Sequence, residues 1–128
     1  MSKNKGTRSE RELLKMFWEK NFATIRSAGS GSMPLPSPDL LVGGNGRVLA
    51  IECKALKEGS RYFAKHEIKE LKEFSEKFGA EAWVAVRFDN KGWFFVSVDD
   101  LGLSKKGTCF VSLDVAEKKG LIFDELIR

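Results

Sequence analysis

In SERELLKMFWEKNF the apolar residues Leu13, Leu14, Phe17, Trp18 and Phe22 recur at helical spacing and predict an amphipathic helix. Thr7 or Ser9 signals its start, because Thr7 with Glu10 and Ser9 with Glu12 both read as capping boxes. ATIR predicts a short strand, and RSAGSGSMPLPSP a loop rich in Gly, Ser and Pro. DLLVGGNGRVLAIECK predicts a hairpin. KHEIKELKEFSEKFG then predicts a helix with Ile68, Leu71, Phe74 and Phe78 on one side and Gly79 as its carboxyl cap. AWVAVRF and WFFVSV are strands separated by the turn DNKG, and TCFVSL is the last strand. DVAEKKGLIFDELIR has helical tendency, with Asp114 as cap and Gly120 as interruption. This alternation predicts an α/β fold with a central mixed β-sheet flanked by helices, its central hairpin antiparallel.

The hairpin breaks the apolar pattern in a specific way. Asp39, Glu52 and Lys54 lie inside its two apolar runs, where an uncompensated carboxylate would be costly. With a two-residue turn at Asn45-Gly46, Asp39 falls opposite Glu52; with a four-residue loop over 43 to 46 it pairs with Ala50. In either register Asp39, Glu52 and Lys54 share one face with Leu41, Val48 and Ala50. Leu40, Val42, Leu49, Ile51 and Cys53 form the other, wholly apolar face. A three-residue loop would flip one strand and separate the charges, and an edge hairpin would reduce Glu52 and Lys54 to a rim ion pair. Two carboxylates facing each other on a covered strand pair repel unless a cation compensates, which is what a site requires. Their hard oxygen donors favour Mg²⁺, with Mn²⁺ able to substitute. Glu10 stands three and four residues before Leu13 and Leu14, on the inward face of the first helix.

Composition narrows the partners. The chain has 128 residues, 42% hydrophobic and 31% charged, which suits one globular domain over 1–128, with residues 1–6 as a basic arm. The net charge of +4 and pI of about 9.1 make a polyanionic partner plausible. Lys3, Lys5, Arg8, Arg11 and Arg26 gather towards the amino end, where they suit phosphate contacts, although a solvated terminus accounts for them as well. One histidine and two separated cysteines cannot supply a four-ligand zinc site, so a metal here is held by oxygen. The amino end is too polar for a signal peptide and no apolar run spans a membrane, so a reducing, cytoplasmic setting is expected, with no membrane partner and no organic cofactor. His66 reads as an exposed helix residue, not a base.

Pro38-Asp39, followed by Glu52-Cys53-Lys54 on the next strand, resembles the PD-(D/E)xK signature of the restriction-endonuclease-like nucleases, with the helix bearing Glu10 before it and a helix after it. Lys5-Gly6, Glu10-Arg11, Arg26 and Ser30-Gly31-Ser32 ahead of the Pro-Asp pair extend the likeness. From about Lys5 to about Trp93 the layout resembles the archaeal Holliday junction resolvases, the Hjc family. The resemblance implies a restriction-endonuclease-like fold and a metal-dependent endodeoxyribonuclease. Such an enzyme resolves four-way DNA junctions in recombination and repair by symmetric nicks, and so acts as a homodimer. It implies that Glu10, Asp39 and Glu52 bind the metal, with the Cys53 backbone carbonyl completing the shell, and that Lys54 is catalytic. By the same resemblance Ser30 works near the scissile phosphate, and Lys5, Arg8, Arg11, Arg26, Ser30 and Ser32 contact DNA. Glu67 departs from the pattern, since many relatives carry Gln there. WFFVSV and the terminal LIFDELI are the candidates for the dimer interface, though core packing accounts for them nearly as well. A nuclease for linear, flap or damaged DNA, or a non-catalytic DNA-binding module, would share most of these features.

Overall fold

The computed structural model describes residues 3–27 and 35–128, with side chains from residue 6 onward. A five-stranded mixed sheet of order β1-β2-β3-β5-β6 is built from β1 (Ala23–Arg26), β2 (Leu40–Gly44), β3 (Arg47–Leu56), β5 (Glu81–Phe88) and β6 (Gly92–Ser97). A second sheet, β4-β8-β7, joins β4 (Ser60–Tyr62), β8 (Cys109–Ser112) and β7 (Gly102–Leu103). The helices are α1 (Lys3–Trp18), α2 (Lys65–Phe78), α3 (Leu113–Lys119) and α4 (Phe123–Leu126).

The β2–β3 hairpin takes the two-residue turn. Gly44 pairs with Arg47, and Asn45 (φ 51°) and Gly46 (φ 73°) occupy the left-handed region that such a turn demands. Leu40 pairs with Ile51, so the register carried one residue further sets Asp39 opposite Glu52. β3 then pairs in parallel with β5, and α2 makes the crossover between them. Pleat alternation sends the two faces of β3 into different cores. Leu49, Ile51 and Cys53 pack with Leu13 and Phe17 of α1 and Leu126 of α4, while Ala50 packs with Ile68 and Leu71 of α2 and Ala116 of α3. The central strand pair is therefore covered on both sides, as the apolar residues on each of its faces predict.

Both long helices end where the sequence supplies a left-handed residue. Asn21 (φ 68°) follows α1 while the Phe22 N–H bonds the Phe17 carbonyl at 3.0 Å, and Gly79 (φ 82°) follows α2 while the Ala80 N–H bonds the Ser75 carbonyl at 2.8 Å.

Several expectations change. α1 begins at Lys3, so residues 3–6 form its first turn instead of an arm, and Thr7 and Ser9 lie inside the helix, not at its cap. Ser112, not Asp114, caps α3: its hydroxyl accepts the Val115 N–H at 3.2 Å. WFFVSV is not an exposed aromatic strip, because Trp93, Phe95, Val96 and Val98 are buried within the monomer; in the terminal segment Leu126 is buried whereas Ile122 is half exposed. Exposed aromatics stand elsewhere, on Trp18, Tyr62 and Phe78. β4 and β7 carry no sequence signal, since all three residues of β4 are exposed and β7 is two residues long.

Candidate active site

At the end of the β2–β3 pair lies a hollow of about 260 Å³, lined by Gly6, Ser9 and Glu10 of α1, by Asp39, by Glu52 to Ala55 of β3, and by Arg61 of β4. Helix packing accounts for Glu10, which stands one turn ahead of the fully buried Leu13. The hairpin register accounts for Asp39 and Glu52, which meet across the last rung. Lys54 follows two residues on, on the same face.

Each charge has a partner. Asp39 Oδ2 accepts the Cys53 backbone N–H at 2.8 Å, which holds the carboxylate across the hairpin. Lys54 Nζ donates to Glu67 Oε2 at 3.1 Å and lies 3.6 Å from Glu52 Oε2, with the Phe63 ring beneath it at 5.9 Å from the centroid. Glu67 is held in turn by the Ala64 N–H, donated to its Oε1 at 2.8 Å at the start of α2. Arg26 Nε donates to Glu10 Oε1 at 2.8 Å, and its terminal nitrogen reaches the Thr7 hydroxyl at 3.3 Å.

Burial raises the pKa of Asp39 against the help of the Cys53 N–H and the Lys54 charge. Burial, then the charge of Asp39, pushes Glu52 up to about 7. Glu10 is raised by burial and by Asp39, in spite of Arg26. Burial pulls Glu67 up as well, but the Ala64 N–H and the Lys54 ammonium outweigh it and leave Glu67 below the usual range. Burial thus makes it costly for Glu10, Asp39 and Glu52 to carry their charges, and a divalent cation on oxygen donors would offset that cost. Asp39 and Glu52, which also share a side-chain hydrogen bond across the hairpin, are the oxygen donors nearest to hand for such an ion. Among the described residues no three acidic, histidine or cysteine side chains close around one point. Glu10 is drawn to Arg26.

Of the expected site residues, Glu10, Asp39, Glu52, Cys53 and Lys54 come together in this hollow. The Cys53 side chain points into the apolar core, which leaves its backbone to the site. Arg26 is paired with Glu10 but does not itself line the hollow, whereas Arg8 and Arg11 are exposed on α1. Ser30, Ser32 and the Lys5 side chain lie outside the described residues. His66 is exposed on α2. Arg61 was not foreseen: its strand is short, wholly exposed and without alternation, so no local pattern marks it.

The whole chain, residues 1–128, matches the family model described as archaeal Holliday junction resolvase (Hjc). It is 44% identical to the crossover junction endodeoxyribonuclease Hjc of Archaeoglobus fulgidus over 96% of this chain and 95% of that protein. Against the Methanocaldococcus jannaschii protein of the same name identity is 34%, over 96% and 86% of the two chains. The 1.6 Å structure of A. fulgidus Hjc, a Holliday junction resolvase from an archaeal hyperthermophile, superposes with a TM-score of 0.88 at 37% identity, covering 96% of this chain and all of that one. With its signature residues gathered at the end of the central hairpin, and with likeness of sequence and fold along nearly its whole length, the chain belongs to the archaeal Holliday junction resolvase (Hjc) family.

Proposed function

We propose that this protein resolves four-way DNA junctions by symmetric, Mg²⁺-dependent hydrolysis of phosphodiester bonds, with Asp39, Glu52, Glu10 and Lys54 as its chemical centre. Family membership implies a metal-dependent junction endonuclease. The observation that carries the residue assignment is the facing of Asp39 and Glu52 across a covered hairpin, with Lys54 on the same side. Asp39 and Glu52, with the Cys53 carbonyl and Glu10, would hold the ion, which when bound supplies Lewis acidity at the scissile phosphate. Lys54, steadied by Glu67 and the Phe63 ring, orients the attacking water and offsets charge that builds on the phosphate oxygens. Glu52, whose proton is held up to about pH 7, must lose it before it serves as a ligand. Ser30 and Ser32, in the loop ahead of Asp39, are assigned to the DNA strand near the cut, as are Lys5, Arg8 and Arg11.

Two symmetric nicks require two sites related by a two-fold axis, and so a dimer. The surface that suits it is the outer side of α2, where Phe78, 53% exposed, stacks on Phe74 with ring centroids 5.2 Å apart. That surface replaces WFFVSV, whose aromatics are spent on the monomer core. The testing experiment compares a four-way junction with a linear duplex of the same arms, with Mg²⁺ and with chelator, for wild type and Asp39→Asn. Paired nicks in the junction alone, lost with chelator and with the substitution, are expected. Equal cleavage of the linear duplex would replace junction resolution with general nuclease activity.

A further inference from the structure

Beside the hollow, past Phe63, lies a second groove of about 390 Å³ between the first turns of α2 and the turn that joins β7 to β8. Its floor is apolar, with Phe63 and Ile68 buried beneath it. Its rim is cationic, formed by Lys65, Lys69 and Lys72 of α2 and by Lys106 of the turn. The three helix lysines follow at i, i+4 and i+7 and so stand on one side. Lys72 is paired with Asp99 at 3.4 Å, whereas Lys65, Lys69 and Lys106 have no acidic partner at ion-pairing distance among the described residues. Three exposed ammonium groups without acidic partners around one groove give it a positive field that attracts an anion of matching extent.

One short segment links the groove to the site. Arg61 lines the hollow, Phe63 underlies the Lys54 ammonium and also forms the groove floor, and Lys65 begins the groove rim. These alternate residues of one short segment run from the reacting centre to the lysines, which places the groove within reach of a polyanion engaged at the hollow. An apolar floor with cations on both walls suits a sugar–phosphate backbone, with sugar edges below and phosphates against the lysines.

We infer that this groove seats the backbone of the DNA arm that leads away from the cut, with Lys65, Lys69 and Lys106 on its phosphates. The inference rests on the reading of the hollow as a junction nuclease site, and it adds an arm-length-dependent contact to it.

Binding of the full chain to labelled four-way junctions, measured against salt concentration, tests this. The substrates are one junction with long arms and one with arms trimmed to the branch. The proteins are wild type, the triple variant Lys65→Gln/Lys69→Gln/Lys106→Gln, and a charge-matched triple variant at Lys20, Lys118 and Lys119, which line neither hollow nor groove. On long arms the groove variant is expected to lower the salt slope by about 2 to 3, at about 0.9 for each phosphate that is no longer neutralised. On trimmed arms its slope should match wild type, and the charge-matched variant should keep most of the wild-type slope on both. A long-arm slope equal to that of the charge-matched variant overturns the inference and leaves the groove to an acidic protein segment. Equal decreases on long and trimmed arms overturn it too. Wild type that binds neither junction sinks the functional reading along with it.

Discussion

Lys54 Nζ stands 3.1 Å from Glu67 Oε2, closer than the 3.6 Å that separates it from Glu52 Oε2. The lysine of the signature is thus steadied by a carboxylate from α2. The charge of Glu67 also contributes to raising the pKa of Glu52. Glu67→Gln removes that charge while its side-chain carbonyl can still accept the Ala64 N–H. Cleavage should survive, and the rising limb of its pH–rate profile should move to lower pH, because Glu52 then ionises more readily. Single-turnover rates across pH would show this; a limb that stays in place or moves upward would contradict the assignment.

Asp39→Asn keeps the shape and the acceptor for the Cys53 N–H but removes the charge that faces Glu52. Cleavage should fall by at least about a hundredfold, while junction binding is spared or improved because a repulsive charge near the phosphate is gone. Parallel cleavage and gel-shift titrations separate the two effects.

The pKa of Glu52 is raised in the folded protein to about 7, from an ordinary 4.5. Stability from its protonated form is fully present below the ordinary value and is lost as pH rises through about 7. Without metal, the melting temperature should therefore decline over that window, apart from contributions of other groups. Mg²⁺ competes with the proton, so the gap between melting temperatures with and without Mg²⁺ should widen as pH rises. Calorimetry in buffers of different ionisation enthalpy should detect a proton released on Mg²⁺ binding near the middle of the window. A gap that narrows with rising pH would rule out Glu52 as the ligand that loses the proton.

Arg47 makes two hydrogen bonds of 2.8 Å to Glu81 and a third to the Leu126 carbonyl, so one guanidinium ties β3, β5 and α4 together. Arg47→Ala should cost about 1–2 kcal/mol of stability, discounted because the pair is partly solvated. Arg47→Lys should restore little, since an ammonium cannot span both carboxylate oxygens. Chemical denaturation curves measure both.

Phe78 is half exposed and stacked on Phe74, which presents an aromatic pair on the outer side of α2 for a second subunit to cover. Phe78→Asp should shift sedimentation towards monomer and convert paired nicks into single ones. A monomer that still resolves junctions with paired nicks would remove this surface from the mechanism.

The local pattern was sufficient for the main elements and for the core of the site. Period-two alternation in residues 39–54 placed Asp39, Glu52 and Lys54 on one face whichever even-length turn was used, because pleating sends alternate side chains to opposite faces. Helical spacing marked Leu13 and Phe17 as buried, and Glu10 with them. Tertiary structure decided the rest. Thr7 and Ser9 look like caps, but the helix runs on to Lys3, and Thr7 serves Arg26 instead. WFFVSV reads as apolar wherever it lies, and only its pairing with β5 and its packing against α1 and α4 determine that Trp93 and Phe95 face the core. Arg61 and the lysine groove arise from contacts between β4, α2 and the β7–β8 turn, segments distant in sequence that a one-dimensional pattern does not relate. Alternation and helical period record which face of an element is buried; which elements meet, and which charges gather in the gap between them, depends on packing across the whole chain.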